Sequence, residues 1–417
     1  MSTPARPTRP APTVLPVRFA GSRTGEGPLT WGQRAIWHAI GRTAPNDHYF
    51  NLARVLPLAE RGAGVPEERF TAAVAALVAR HEALRTRLDV ADGEPRQRLH
   101  DTGRLDVAVA DEPDSDRTGR AAAELLARLA GTRFDYRGEW PVRIGAVRSG
   151  GLVTHAVLAL CHLAADGHGA ELLVRDLRLL IRRGAAGRPC TDTPLDLARE
   201  QHGPAGRRRG EAALARWEAA FRRMPPTMFP RPVAEPRSPR FWTGRLVSRA
   251  LGRATDTLAA AHGVSGSTVL LAGCAVLVAA DQGHPLATVL PIAGNRAVRD
   301  HRELVGTLSQ DALFVLDLPP DARTTFPDLL PVAWRAALAG YRAAAYHPSA
   351  WEELRERVGR ERGTEVHPYC CFNDMRLVDR PLPDGPPATA EELAAARTES
   401  TLDFPATQEL VACRYLD

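Results

Sequence analysis

Apolar residues recur along this chain at two spacings, one typical of helices and the other of strands. Spacings of three and four predict helices that begin after Thr30 and at Pro66, and others at 118–130, after 169, and at 252–262, 265–280, 327–346, 349–362 and 391–397. Short apolar runs predict strands at 14–21, 106–110, 142–148, 152–160, 241–251, 287–292, 312–318, 369–372 and 410–415. Helices and strands mixed in this order indicate an α/β sandwich, with helices packed on a sheet. The helix at 265–280 is apolar on nearly all sides, so we expect it to be deeply buried.

Length and local composition predict two domains. The chain has 417 residues, which suits two lobes of about 200 residues each. Residues 1–13 are rich in proline and arginine and are predicted to be a disordered tail. Residues 204–240 are rich in arginine, glycine and proline, so we interpret them as a crossover linker between an N-terminal lobe at 14–203 and a C-terminal lobe at 241–417.

Charge and hydropathy exclude several classes of protein. The formal net charge is +5, but the chain contains no lysine, and its arginines are spread among acidic residues rather than gathered in a basic tract. This pattern argues against a nucleic-acid partner, and the absence of lysine excludes a Schiff-base mechanism. No apolar run approaches the roughly 20 residues that cross a bilayer, and the first residues lack the apolar core of a signal peptide. We therefore expect a cytoplasmic, monomeric protein without a membrane partner.

The cysteines give no sign of a metal centre or a disulfide framework. The six cysteines lie at 161, 190, 274, 370, 371 and 413, without a C-x-x-C pair. Free thiols in a reducing compartment are the simplest interpretation. His162 and His168 flank Asp166, but no second cluster of ligands completes a metal site. We expect neither a metal nor a cofactor of the protein's own.

The stretch CHLAADGHG, residues 161–169, carries the clearest candidate chemistry. It follows the predicted strand 152–160 and precedes a helix, and loops between rigid elements often hold reactive side chains. His162 can take or position a proton near neutral pH, and Asp166 can tie the loop down. Gly167 and Gly169 are expected to permit a positive φ and a close approach of substrate. From these residues alone, His162 is either a proton-handling group or a hydrogen-bonded core histidine.

Several separated stretches together resemble one family, the condensation domains of nonribosomal peptide synthetases. The matching residues are Gln33 and Trp37 in LTWGQRAIW; Arg80, His81, Glu82, Leu84, Arg85 and Thr86 in RHEALRT; the loop CHLAADG, which resembles the family's HHxxxDG motif; Gly294, Asn295 and Arg296; Val305 and Gly306; and Phe372 and Asn373. They occur in the family's order over nearly the whole chain. The chain is similar to a free-standing member, since it lacks adenylation and carrier motifs.

The resemblance implies a fold and a reaction. The fold would be two chloramphenicol-acetyltransferase-like lobes arranged in a V with the active site between them. The enzyme would join an acyl or peptidyl thioester, carried on the phosphopantetheine of a partner carrier protein, to an amine or hydroxyl acceptor in peptide antibiotic biosynthesis. His162 would position or deprotonate the nucleophile, and Asp166 would pair with Arg296. Gly167 would leave room for the phosphopantetheine arm.

Departures from the family pattern keep two other functions open. Cys161 stands where the family's first histidine would be, which puts the support of the loop in doubt, because a thiol makes far weaker hydrogen bonds than imidazole. Gln310 replaces a usual asparagine, and the late arginine-rich motif is not visible. A degenerate condensation-like protein that recruits a carrier or tailoring enzyme is one alternative. A CoA-dependent acyltransferase is another. A serine hydrolase is disfavoured, because GVSGST is not a G-x-S-x-G elbow.

Overall fold

A computed structural model describes residues 13–58, 64–91, 93–231, 235, 238–239, 241–297, 300–319, 323–376 and 386–408. These residues form two compact units. The first unit contains the described residues up to Gly203 together with Arg296–Leu308, and the second contains Pro204–Asn295 and the described residues from Ser309 onward. The predicted tail lies outside the described residues except for Thr13, which begins the first strand. The strand predicted at 410–415 also lies outside them.

The first unit contains eight strands and five helices among its described residues. The strands are β1 (Thr13–Ala20), β2 (Gly25–Pro28), β3 (Leu52–Pro57), β4 (Thr86–Ala91), β5 (Glu94–Leu99), β6 (Thr102–Asp111), β7 (Val142–Ser149) and β8 (Leu152–Leu160). The helices are α1 (Trp31–Thr43), α2 (Glu67–Arg80), α3 (Thr118–Ala130), α4 (Gly167–Arg183) and α5 (Pro194–His202). The predictions of α3 at 118–130 and of β8 at 152–160 are confirmed to the residue.

The first unit is built on a five-stranded mixed sheet in the order β1-β6-β7-β8-β3. Helices α2 and α4 pack on one face, where Phe70, Leu77 and Leu173 are fully buried. Helix α3 covers the other face through Leu125, which contacts Val147 and Val157. A second, antiparallel sheet has the order β2-β5-β4. Both faces of β8 are therefore covered, which gives the loop after its last residue a rigid base.

The second unit has its own elements and its own core. The described elements are α6 (Pro204–Arg223), β9 (Phe241–Val247), α7 (Arg249–His262), α8 (Gly266–Gln282), β10 (Leu286–Ala293), β11 (Gln310–Asp311), β12 (Phe314–Asp317), α9 (Phe326–Arg342), α10 (Pro348–Arg362), β13 (Cys371–Phe372), α11 (Ala390–Thr398) and β14 (Thr401–Gln408). Strand β10 pairs antiparallel with β11 and β12 and parallel with β13, while β9 and β14 form a separate two-stranded sheet. Helices α8 and α9 bury Leu271 and Leu330 against Phe314.

The structure confirms one prediction in the linker and corrects two others. A helix holding Trp217 and Phe221 is predicted within the linker, and residues 204–223 form helix α6, in which Ala213, Trp217 and Phe221 recur every four residues and bury in the core of the second unit. Residues 296–308 lie in the first unit rather than in the predicted C-terminal lobe. Helix α8 is not buried on all sides, since the side chain of Leu277 is 71% exposed.

Among the described residues, no helix taken alone is long and apolar enough to cross a bilayer. Helices α7 and α8 reach that length and apolarity only together, and a bend of 110° separates their axes.

Candidate active site

The loop from Cys161 to Asp166 joins strand β8 to helix α4 and is almost wholly buried. The side chain of His162 is 5% exposed and that of Asp166 is 4% exposed. Asp166 is the N-cap of α4, and its carboxylate accepts a hydrogen bond from the backbone N–H of Gly169 at 2.9 Å. Asp and Asn side chains commonly cap helices in this way. The cap at Asp166 therefore fixes where the helix begins, and His162 lies four residues before this cap.

Gly167 and Gly169 do not need the backbone freedom that the sequence suggested. They are the first and third residues of α4 and are not among the described glycines with positive φ. Gly169 is constrained by space instead, because a Cβ atom there would lie 3.2 Å from the backbone oxygen of Gly306. The expectation of positive φ at these two positions is wrong. Room for a substrate arm at Gly167 stays a prediction.

Arg296 and Asp166 form a buried bidentate ion pair, although 130 residues separate them in the sequence. The Nη1 and Nη2 atoms of Arg296 lie 3.0 and 2.9 Å from the two carboxylate oxygens. Their side chains are 8% and 5% exposed. The carboxylate also accepts a hydrogen bond from the backbone N–H of Leu308 at 3.1 Å. Such fork-to-fork pairs fix geometry as well as charge, so the start of α4 is held from two sides.

The described residues of Arg296–Leu308, which we name the clamp segment, contact the loop and helix α4. The backbone N–H of Asp166 donates to the oxygen of Gly306 at 3.3 Å. The hydroxyl of Thr307 donates to the backbone oxygen of His162. Near the middle of α4, Arg175 forms an ion pair with Glu303 at 2.7 Å. Val305 and Gly306 were predicted by the resemblance, whereas Thr307 was not, because a threonine in an apolar stretch carries no signal of its own.

Burial disfavours the charged form of the His162 imidazole. It lowers the pKa of the ring below the ordinary 6.5, while the residue's own backbone and the nearby Asp166 carboxylate act in the opposite direction. The Nδ1 atom is shielded from solvent. A neutral imidazole carries its proton on one ring nitrogen and a lone pair on the other. The ring can therefore accept a proton from a substrate.

The thiol of Cys161 is buried beside the histidine. Its side chain is 2% exposed, and burial raises the pKa of the thiol to about 12. A raised pKa favours the protonated thiol, which is a poor nucleophile and a poor metal ligand. Its backbone N–H donates to the oxygen of Pro141, and its own oxygen accepts from Ala164, which continues the strand into the loop. A cavity of about 20 Å³ lies beside it, lined in part by Gln33 and Tyr136.

Two of the resembling motifs, LTWGQRAIW and RHEALRT, contact the loop and the helix that follows it. The side-chain amide of Gln33 donates to the backbone oxygen of Leu163 at 3.1 Å, and Gln33 also closes the capping box with Thr30 at the start of α1. His81 contacts the carboxylate of Asp176 in α4 at 3.0 Å. Asp176 was not predicted, because a lone acidic residue in an amphipathic helix usually faces solvent. It is in fact fully buried.

The motif residues of the second unit lie in that unit's own contacts. Gln310 donates from its side-chain amide to the backbone oxygen of Tyr346 at 2.9 Å. Asn295 donates to the oxygen of Ala344 at 3.3 Å, and Phe372 pairs with β10. Within the described residues, no three His, Cys, Asp or Glu side chains converge in a way that could hold a metal ion.

Helix α1 begins in close contact with the clamp segment. A substitution at Gly32 tests that contact. A Cβ atom at Gly32 would overlap the backbone oxygen of Thr307, whereas a Cβ at Gly41 in the same helix would meet nothing within 4 Å. We expect Gly32→Ala to lower the free energy of unfolding by about 1–3 kcal/mol through overpacking. Gly41→Ala should raise it by about 0.5–1 kcal/mol, since alanine favours helix. Denaturant unfolding of both variants checks this, and equal effects would contradict the contact.

Comparison with known proteins places the chain in a family. The family model described as Condensation domain matches residues 24–368. The probable non-canonical nonribosomal peptide synthetase CymA of Salinispora arenicola is 29% identical over 401 residues, covering 91% of this chain and 5% of the relative. The isonitrile lipopeptide synthase of Mycobacterium tuberculosis is 31% identical over 393 residues, covering 87% of this chain and 15% of the relative. The chain thus spans only a small part of both relatives.

Solved structures agree on the fold. The SgcC5 protein from Streptomyces globisporus has a TM-score of 0.67 at 20% identity and covers 93% of this chain and 88% of its own. The first condensation domain of the calcium-dependent antibiotic synthetase has a TM-score of 0.62 at 18% identity, and the match covers 84% of this chain and 79% of that domain's chain. The predicted chloramphenicol-acetyltransferase-like fold class is confirmed by these likenesses. Because the fold and the family match agree over most of the sequence, we conclude that the chain belongs to the condensation-domain family.

Proposed function

We propose that this protein is a condensation enzyme that joins a carrier-bound acyl or peptidyl thioester to an amine or hydroxyl acceptor. The observation that carries the proposal is the buried, neutral imidazole of His162, held in a loop that the Asp166–Arg296 ion pair ties to the clamp segment. Membership of the condensation-domain family supports a condensation-type role. The substrates would arrive on the phosphopantetheine of carrier proteins, and the protein would need no cofactor of its own.

In this mechanism His162 acts on the attacking nucleophile. The lone pair of a neutral acceptor amine forms a bond to the thioester carbonyl carbon while Nε2 takes a proton from that nitrogen. The C–S bond then breaks, and the proton passes to the departing phosphopantetheine thiolate. Proton transfer of this kind contributes about 10²–10⁴ in rate. Asp166 and Arg296 position the loop, and most of the remaining acceleration comes from holding two tethered reactants together.

The first test measures product with the histidine removed. A carrier protein loaded with an acyl donor is mixed with the acceptor, and product is followed by intact-protein mass spectrometry. We expect His162→Ala to lower the rate about 10²–10⁴-fold. His155→Ala is the matched control, because His155 is a half-buried histidine in β8 whose Nδ1 contacts the hydroxyl of the neighbouring Thr154 at 3.1 Å. Equal rates in wild type and His162→Ala would overturn the catalytic role.

Cys161 favours one second candidate, a condensation-like protein that recruits a carrier or tailoring enzyme without catalysis. A buried thiol in place of imidazole gives the loop weaker polar support. The same experiment separates the two functions. Carrier binding by surface plasmon resonance, without product from wild type, supports recruitment. Product formed from acyl-CoA in place of the loaded carrier supports a CoA-dependent acyltransferase on the same site.

A further inference from the structure

Strand β12 lies at the edge of the sheet in the second unit. Among the described residues it pairs with β10 and with no other strand. Along an antiparallel pair, every second residue bonds to the neighbouring strand. The backbone N–H of Leu318 donates to the oxygen of Pro285 at 2.8 Å, so the alternation directs the backbone groups of Val315 and Asp317 away from β10. An edge of this kind can accept a further strand.

The free edge of β12 lies at the floor of an open groove. Helix α6 packs on one face of the strand, where Trp217 and Val315 belong to one cluster, and α9 packs on the other face through Leu330. The groove between the two helices has a volume of about 350 Å³, and Val315 lines it. Its walls include small side chains such as Ala219 and Ala339, so a polypeptide backbone can approach the strand.

The groove carries positive charge. Two arginines of α6, Arg216 and Arg223, line it, and no carboxylate is among its described lining residues. Arg223 pairs with Asp317 at 2.6 Å, so Arg216 supplies the charge that a ligand meets. Acidic side chains on an occupant would complement this wall of the groove.

The position of the edge favours a single extended segment over a second copy of the chain. Two copies of β12 cannot meet edge to edge, because in each copy the strand lies below walls formed by α6 and α9. The first twelve residues of the chain contain two arginines, four prolines and no acidic residue. They match neither the charge of the groove nor the row of N–H donors that an added strand supplies. An acidic, extended segment of another polypeptide matches both.

We propose that the groove at β12 binds an extended acidic segment of a partner polypeptide, which joins the sheet as a further strand. The backbone of that segment pairs with Val315 and Asp317, and an acidic side chain meets Arg216. Main-chain hydrogen bonds of this kind give strand addition its affinity. The proposal goes beyond the proposed function and does not rest on it, because binding is measured without acyl transfer.

The first experiment measures binding of a defined probe to the full chain by fluorescence anisotropy. The probe is a fluorescein-labelled synthetic peptide that alternates valine and threonine between two terminal glutamates. One companion peptide is N-methylated at two consecutive central amides, so that neither of its edges pairs fully. A second companion has lysine in place of both glutamates. Ala219→Trp fills the groove, and Ala260→Trp is the matched control, since Ala260 is an exposed alanine of α7 outside the groove.

The second experiment reads the strand itself. Hydrogen exchange, resolved to single amides by mass spectrometry with electron-transfer fragmentation, is compared with and without the acidic peptide. The amides of Val315 and Asp317 should exchange fast in the chain alone and about tenfold or more slowly in the complex. The amides of Phe314 and Leu316, which bond to β10, should be protected in both and serve as internal controls.

We expect saturable binding of the acidic peptide to wild type and to Ala260→Trp, and binding about tenfold or more weaker to Ala219→Trp. Both companion peptides should bind wild type about tenfold or more weakly than the acidic peptide. The proposal is overturned if wild type shows no saturable binding, or if the N-methylated peptide binds equally well. Protection of Val315 and Asp317 in the chain alone would assign the groove to the chain's own residues, and protection that grows with protein concentration would assign it to a second copy. Either result also overturns the proposal.

Discussion

Arg296→Ala should lower the free energy of unfolding by about 3–5 kcal/mol, because it leaves the buried carboxylate of Asp166 without its cation. The two side chains are 8% and 5% exposed, so water cannot replace the lost charge. Arg296 also donates to the backbone oxygens of Leu304 and Gly306 at 3.3 and 3.2 Å. Its removal therefore releases the clamp segment as well as the N-cap of α4. Chemical denaturation followed by circular dichroism measures the change.

The matched control for this variant is a surface arginine. Arg120 is an exposed residue of α3 paired with Glu124 one turn away, and Arg120→Ala should cost no more than about 0.5 kcal/mol. Arg296→Lys keeps a charge but not the planar fork, so we expect it to fall between wild type and Arg296→Ala. An unfolding midpoint of Arg296→Ala equal to that of Arg120→Ala would contradict the buried pair. Acyl transfer should fall together with stability.

The elements that position the loop could be predicted from the sequence because each follows one dominant rule. Strand β8 is a short, largely apolar run, and α4 repeats apolar residues every three or four positions. Thr30 and Asp166 are typical N-cap residues. These local signals do not depend on the rest of the chain, so the strand, the loop and the helix lie where the pattern indicates.

The antiparallel sheet of β2, β4 and β5 was not predicted, for a physical reason. Strand β5 has the sequence EPRQRL, and its inward positions are Pro95, Gln97 and Leu99. A buried glutamine and a proline interrupt the apolar alternation that marks a strand. Gln97 is satisfied in the fold, where its amide donates to the oxygen of Pro28 at 2.8 Å. A partner supplied by another strand cannot be read from the local pattern.

Long-range contacts at the site could be predicted only where the resemblance to the family named both residues. The sequence contains many arginines, and nothing local distinguishes Arg296 from the others. The resemblance named it as the partner of Asp166, and the structure brings the two together. No motif named Thr307 or Asp176, although both are buried against motif residues. Contacts that depend on how the chain returns to the loop are set by tertiary packing rather than by local spacing.

Asp176→Ala should lower the free energy of unfolding by about 3–5 kcal/mol, because three basic side chains lose the acceptor they share. Its carboxylate lies 2.9 Å from Nε of Arg80 and 3.0 Å from Nε2 of His81, and Arg175 donates to its other oxygen. Glu171→Ala is the control on the same helix, since Glu171 forms an exposed pair with Arg54 and should cost about 0–1 kcal/mol. Equal unfolding midpoints for the two variants would contradict a shared buried acceptor.

The pH dependence of stability gives the same carboxylate a second, independent test. Burial alone would raise the pKa of Asp176, but hydrogen bonds from His81 and Arg175 outweigh it and hold the pKa at about 2, below the ordinary 3.8. Because the folded state binds this proton less readily than the unfolded state, the contribution of Asp176 to stability is fully present above about pH 4 and is lost as the pH falls toward 2. Wild type should therefore lose more stability than Asp176→Ala between pH 4.5 and 2.5. If the free energies of unfolding of the two proteins changed in parallel over that interval, the carboxylate of Asp176 would not be held ionised by its partners. The contact between α2 and α4 would then depend on apolar packing alone.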